Sequence, residues 1–436
     1  MTANKHLKQL VRARMARTGE RYAAARRQII REHSPDRSNP QAPAHLPGSI
    51  PAATALRILL RHSGARPSLS EAMAFGIAGG IGIGVFAFYY EREDVANFFI
   101  AGRHRWHDDQ AYLFGALERL GVRAIIRESG GAKAARRQLI ELVAAHGPCI
   151  AWVDMAGLPH RAMPEFWQGG GYHVVLVYAV DAVAGTALIG DLTDEPITIG
   201  LDELAQAQAR IKKQQHRLLA LEAAPDLSRL DDLILAGLRS CHAELLQPTL
   251  TQAAGNARLE ALSTWAERMH GGTAKNAWER TFRPGPNLWR GLTAIYDFVE
   301  HYGTGGGLCR PIFADFLAES AAFLGRADLE ALAEQYRVLG RAWSDLADAA
   351  LPDDVAPLAE AKRLLAHKAE LLHTGAPAAE VRAVWEQLAD LERETANPFP
   401  LDNAGSTALR AGLRSRIEAL YTAEQQALQA LSNAVQ

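Results

Sequence analysis

The chain has 436 residues, 48% of them hydrophobic and 22% charged, with a formal net charge of −2. That length suits two or three domains with sizeable cores, and near-neutrality excludes a chain that binds nucleic acid or anionic membrane along its whole length. Cys149, Cys241 and Cys309 lie far apart without metal-ligand spacing, which points to a reducing compartment and no structural disulfides.

Residues 1–33 form a basic, Ala-rich segment read as two helical stretches, with Thr18 as a candidate N-cap for the second. It carries Lys5, Lys8, Arg12, Arg14, Arg17, Arg21, Arg26, Arg27 and Arg31 against Glu20 and Glu32. The start lacks the apolar core of a secretory signal, and no apolar run in the chain reaches the ~18 residues of a membrane span. A cytoplasmic location is expected. Pro35, Pro40, Pro43 and Pro47 mark 34–47 as a linker, so 1–33 reads as a detachable arm. With Tyr22 as its single aromatic residue, the arm is not expected to bind nucleic acid.

From 48 to 222, helix and strand alternate. Leu56, Leu59 and Leu60 give one face to a helix over Ala52 to His62. The segment SLSEAMAFGI and a glycine-rich stretch follow, leading into the strand VFAFYY. Helices over Asp109 to Leu120 and Ala132 to Ala145 precede the strands VRAII and PCIAWVD. Then come a hairpin, the strand PITIG, a helix from Asp202 and the strand HRLLALE. Helix first and a mostly antiparallel sheet later predict an α+β domain. From 226 to 436 the periodicity is almost entirely helical, as in Leu288, Leu292, Ile295, Tyr296 and Val299, and predicts an all-α bundle of some eight helices.

The hairpin carries the chemistry. His173 lies in GYHVVLVYAV and Asp191 follows TALIG, with the turn DAVAG between the strands, so the two face each other. An acid that orients an imidazole is the arrangement of a base and its positioning group, although a structural pair would look the same. Gly169 to Gly171 precede the His and let backbone approach closely. Gly170, Gly171 and Trp167 are candidate substrate contacts there, as are Gly79, Gly80 and Gly82 in the glycine loop. That loop fits neither phosphate-binding fingerprint, and close packing is its simpler reading. HRWHDD at 104–109 has metal-ligand composition without metal-site spacing and reads as a solvated helix start. GTGGG at 303–307 reads as a helix–helix connection that could also hold an anion.

The run GSIPAATALRILLRHSGARPSLSEAMAFGIAGGIGIGV resembles the opening of the butirosin biosynthesis protein H N-terminal family. PCIAWVDM, GYHVVLVYAVD and IGDL also fit that family, and HYGTGGGLCRPIFADFLAES resembles the helical domain that commonly follows it. The resemblance covers roughly 46 to 400. It implies a papain-like α+β domain with a Cys–His–Asp set, and transfer of an acyl group from a carrier-protein thioester to an amine. Carried over, His173 is the base and Asp191 the acid. The family's His-Cys dipeptide falls on Ile50 and Pro51, and Pro51 offers no nucleophile and no backbone N–H.

Ser49 is the nearest alternative nucleophile. Thr54 falls on the next helical turn, facing the core or the preceding backbone, and Cys149 reads as a small buried hydrophobe. His173 acting as base without an enzyme nucleophile is a further route. The expectation is an acyltransferase-like protein of specialised metabolism. A pseudoenzyme scaffold and a Ser49 hydrolase are the alternatives. An acyl carrier protein and a small amine acceptor are the implied partners, self-association is left open, and no metal or cofactor is expected.

Overall fold

The computed structural model describes residues 3–22, 25–26, 28–29, 45–248, 250, 255–269 and 277–436; most of the Pro-rich linker, 34–44, lies outside them. The elements in order are α1 (Ala3–Thr18), α2 (Pro51–His62), α3 (Glu71–Ile77), β1 (Ile81–Tyr90), β2 (Val95–Arg103), α4 (Asp109–Arg119), β3 (Ala124–Arg127), α5 (Ala132–His146) and β4 (Cys149–Asp154). There follow β5 (Tyr172–Asp181), β6 (Thr186–Gly190), β7 (Ile197–Gly200), α6 (Leu201–Ala209) and β8 (Leu218–Leu221). The helical region holds α7 (Leu230–Leu246), α8 (Glu260–Met269), α9 (Trp278–Thr281), α10 (Pro286–Glu300), α11 (Arg310–Leu324), α12 (Ala327–Ala350), α13 (Ala356–Thr374), α14 (Ala378–Thr395) and α15 (Asn403–Val435). The architecture is mixed α/β, with the sheet toward the N-terminal half and a helical C-terminal region. No described helix is long and apolar enough to cross a membrane.

The chain divides into two compact units: Met1–Ala74, Asp109–Leu233 and Lys368–Trp385 form one, and Phe75–Asp108, Ile234–His367 and Glu386–Gln436 the other. A linear reading with one cut at 222–226 does not produce this interleaving.

In the first unit a six-stranded antiparallel sheet has the order β3-β8-β4-β5-β6-β7. One face buries Cys149, Ala151, Val153, Val175, Val177, Ala187 and Ile189 against Leu139 and Leu142 of α5 and Leu204 and Ala207 of α6. β4 is buried at every position, which is why CIAWVD is apolar almost throughout rather than alternating. α5 stops at Gly147, whose φ of 76° suits glycine and whose N–H caps the Val143 carbonyl.

The described residues of the basic arm are docked, contrary to the detachable arm expected from the proline run. Val11, Tyr22, Ala25 and Ile29 form their own buried cluster. Arg26 is 1% exposed and donates to Asp194 Oδ1 at 2.9 Å, Gly48 O at 3.0 Å and Leu192 O at 3.3 Å. Arg12 and Lys8 reach Glu370 at 2.8 Å. Pairing of this kind is invisible in composition, because the acidic partners lie more than 160 residues away in sequence.

In the second unit β1 and β2 form an antiparallel hairpin. β2 was not evident from sequence. It packs on α10, where Asn287 Oδ1 accepts from the Ala96 N–H at 2.9 Å and Asn287 Nδ2 donates to Asp94 O at 3.0 Å. Two strands alone bury too little apolar surface to persist, so the hairpin depends on its helix. The GTGGG run is the connection between α10 and α11. Positive φ at Gly305, Gly306 and Gly307 turns the chain so that Arg310 enters the core, where Glu424 accepts from it at 2.7 Å and also from Trp343 Nε1 at 2.8 Å.

Candidate functional site

His173 and Asp191 meet as the hairpin geometry predicts. β5 pairs with β6 with Leu176 opposite Gly190, so Asp191 leaves the end of β6 beside the start of β5. Strand alternation puts both side chains on the face shared with Val175, Val177 and Ile189. His173 Nε2 is 2.9 Å from Asp191 Oδ1, and the two residues are 4% and 6% exposed.

Two further residues close the cluster, and the sequence reading missed both. The chain from β4 passes through a 3-10 turn at Pro159–Arg161. From it Arg161 grips Asp191 with a two-pronged fork, Nε to Oδ2 at 2.9 Å and Nη2 to Oδ1 at 3.0 Å. His160 Nε2 reaches Asp191 Oδ2 at 2.9 Å, and the Leu192 N–H donates to Oδ1 at 2.8 Å. Trp385 Nε1 donates to the Arg161 carbonyl at 3.2 Å and pins the turn. The only signal in sequence is an adjacent His–Arg pair between prolines.

The charges follow from this crowding. Burial alone would raise the Asp191 carboxyl, but the Arg161 charge, His173 and the bonds from both histidines hold it well below the usual carboxylate range. Burial pushes His173 down; Asp191 opposes this and Arg161 reinforces it, leaving the ring more readily neutral than an ordinary histidine. Arg161 Nη2 also lies 3.1 Å from His173 Nε2. An anionic Asp191 favours the tautomer in which Nε2–H donates to it, which leaves the basic lone pair on Nδ1.

The start of α2 is built differently from a nucleophile site. Pro51 is its first residue. Glu71, at the start of α3, places Oε1 2.7 Å from Ser49 N, 2.8 Å from Ile50 N and 2.7 Å from Thr54 Oγ1. This gives the Leu-Ser-Glu run a role: its carboxylate caps the positive end of α2. It also explains Gly48, since a Cβ there would overlap Thr54. Thr54 points back to the chain entry, as the sequence suggested. Ser49 is 3% exposed, and among the described residues no hydrogen bond joins it to His173. The far end of α2 packs on the other side of the sheet, where the His62 and Tyr178 rings lie 6.3 Å apart.

The expected substrate glycines divide. Above Gly79, Gly80 and Gly82 the space is taken by His104, Phe313 and the Arg103 carbonyl, at 2.5–2.6 Å from where a Cβ would sit. The loop is thus a packing device, and its room for substrate is filled by protein. His104 beneath it is 2% exposed rather than solvated, and no group of metal-ligating residues is found among the described residues. Gly171 lies against Met155 and Asp154, whereas a Cβ on Gly170 would meet nothing nearer than the Trp167 carbonyl at 4.0 Å. Asp154 Oδ2 accepts from the Gly169 N–H at 2.7 Å and holds this loop on β4. Trp167 is 39% exposed beside Phe166, their rings 5.6 Å apart, and so faces solvent. Cys149 is fully buried in the sheet core, and burial pushes its thiol up to about 12.

The family described as butirosin biosynthesis protein H, N-terminal, matches residues 51–192, a span that starts at Pro51 and ends just past Asp191. A domain of unknown function (DUF4872) matches residues 202–396. No curated protein matches the chain. The helix entry and the hairpin pair thus fall within a region similar to the butirosin biosynthesis protein H N-terminal family, and much of the helical region within one similar to the domain of unknown function.

Proposed function

We propose that this chain is an acyl-group-handling scaffold of specialised metabolism that binds its partners without forming an acyl-enzyme. The observation that carries the reading is Glu71. Its carboxylate sits on the N–H groups of Ser49 and Ile50, the donors at the helix entry that a thiolate or oxyanion at position 51 would draw on. Pro51 removes the nucleophile and one more N–H. A built-in anion and a missing thiol point the same way. Ser49 hydrolysis lacks support because no imidazole reaches its hydroxyl among the described residues.

One observation favours a second reading. With Nε2 bonded to Asp191, His173 keeps a lone pair on Nδ1 and could deprotonate an amine that attacks a bound thioester directly. The papain-like ancestry and the carrier-protein partner belong to both readings.

The test offers the purified chain an acyl carrier protein loaded with a short acyl thioester, together with a polyamine acceptor. Intact mass reports any acylated chain, chromatography the amide, and calorimetry the binding of the carrier. The scaffold reading expects saturable carrier binding, no acylated chain, and amide formation no faster than with carrier alone. Amide formation that disappears in His173→Ala moves the assignment to the second reading. Neither binding nor turnover defeats both.

A further inference from the structure

Among the described residues of the first unit, the large hydrophobic side chains left exposed are Ile126, Phe166, Trp167, Tyr172 and Val183. Three of these are aromatic and lie on one stretch, the loop that carries the chain from the Arg161 turn into β5 and His173. Phe166 is 81% exposed, Trp167 39% and Tyr172 44%, so ring surface that ordinarily drives folding stands in water. Single exposed apolar residues need no account, but clustered aromatic ones mark a contact surface.

The loop is tethered from below. Asp154 accepts from the Gly169 N–H at 2.7 Å and from the Ala156 N–H at 3.3 Å, and Arg210 donates to the Gln168 side chain. Rings presented on a tethered loop lose little freedom when a partner covers them.

Their surround is basic. Lys213 Nζ lies 4.4 Å from the centre of the Tyr172 ring, which joins the loop to the 3-10 turn Lys212–Gln214. Arg210, Lys212 and Lys213 are exposed, and none of the three makes an ion pair among the described residues. From Glu165 to Tyr172 the one charged residue is Glu165 itself, so the patch as a whole is positive.

We propose that Phe166, Trp167 and Tyr172, flanked by Arg210, Lys212 and Lys213, form the docking surface for an acidic helix of the carrier protein. This rests on the carrier-binding reading above and gives that reading a location. An acidic amphipathic helix supplies carboxylates to the three cations and apolar side chains to cover the rings. Nucleic acid also meets rings and cations, but the acid at the start of the loop and the short run of positive charge suit a protein partner better.

The acetyl-loaded carrier is titrated calorimetrically into the full chain. Phe166→Ser alters a ring that packs on little, so Tm should stay within about 2 °C of the parent, while carrier binding should weaken about tenfold or more. Lys212→Glu combined with Lys213→Glu should weaken it at least as much, and raising sodium chloride from about 50 to 500 mM should weaken the parent several-fold. Arg416→Glu, an exposed change on α15, should leave binding unchanged and excludes an effect of net charge alone. A parent that binds the carrier while the patch variants bind it equally well, or while Arg416→Glu weakens it as much as they do, overturns the docking surface and leaves the carrier reading standing. A parent that does not bind the carrier overturns both. Sedimentation of the chain alone and titration with oligothymidylate complete the test. Self-association abolished by Phe166→Ser, or oligonucleotide binding tighter than carrier binding, reassigns the patch and overturns the proposal.

Discussion

Replacing Arg161 with Met tests whether the His173 cluster is one closed electrostatic unit. The fork from Arg161 to Asp191 is made of two bonds at 2.9 and 3.0 Å, with side-chain exposures of 13% and 2%. Methionine preserves most of the stem and deletes both donors. Breaking a buried pair from one side costs about 3–5 kcal/mol, because the remaining charge stays desolvated. Here the two histidines and the Leu192 N–H still serve Asp191, so the lower end, about 3 kcal/mol, is expected. For a unit of about 200 residues that is a fall of roughly 6–12 °C in Tm. Arg161 also holds the His173 ring down, so its loss should raise that pKa. Thermal melts followed by circular dichroism give the first quantity, and long-range proton–nitrogen NMR of the histidine rings gives the second. Asp191→Asn on top of Arg161→Met should recover part of the lost stability, since it removes the stranded charge. A variant with Tm within about 1 °C of the parent and an unmoved His173 would refute the reasoning.

The helix entry gives a graded pair. Glu71→Ala strands two N–H groups and the Thr54 hydroxyl and should cost about 3 kcal/mol by urea denaturation, whereas Glu71→Gln keeps an acceptor oxygen and should cost less than half as much. Equal losses in the two variants would remove the capping role. Because His173 is held below its ordinary value, the unfolded chain takes up the proton first as pH falls. Its contribution to stability is therefore complete above about 6.5 and declines as pH drops through the lower folded value. His45 and His62 are shifted in the same direction, so His173→Gln should flatten, without abolishing, the fall in urea midpoint between about pH 7.5 and 5.5. A steeper fall in the variant would contradict the assignment. Burial raises the thiols of Cys149 and Cys241 to about 12, and Cys309 is fully buried, so Ellman's reagent at about pH 8 should find no fast-reacting thiol until the chain is unfolded. A native burst of one thiol would show that one of these sites is open.

Much of this protein is written locally. The amphipathic run after Pro51, the helix over Ala132 to Ala145, the apolar strand around Cys149 and the turn between β5 and β6 all arise from near-neighbour preferences, which is why short windows of sequence reveal them. The meeting of His173 and Asp191 follows from the same short-range logic, since one turn sets the register of both strands. What tertiary structure alone decided is who else joins them. Arg161 and His160 arrive from a 3-10 turn about 30 residues before Asp191, Trp385 from a distant helix, and Asp194 captures Arg26 across 168 positions. The hairpin β1–β2 is a further case, since its partner surface lies on α10. These contacts are individually weak and form only when the whole chain closes, so no window of sequence contains the energy that selects them.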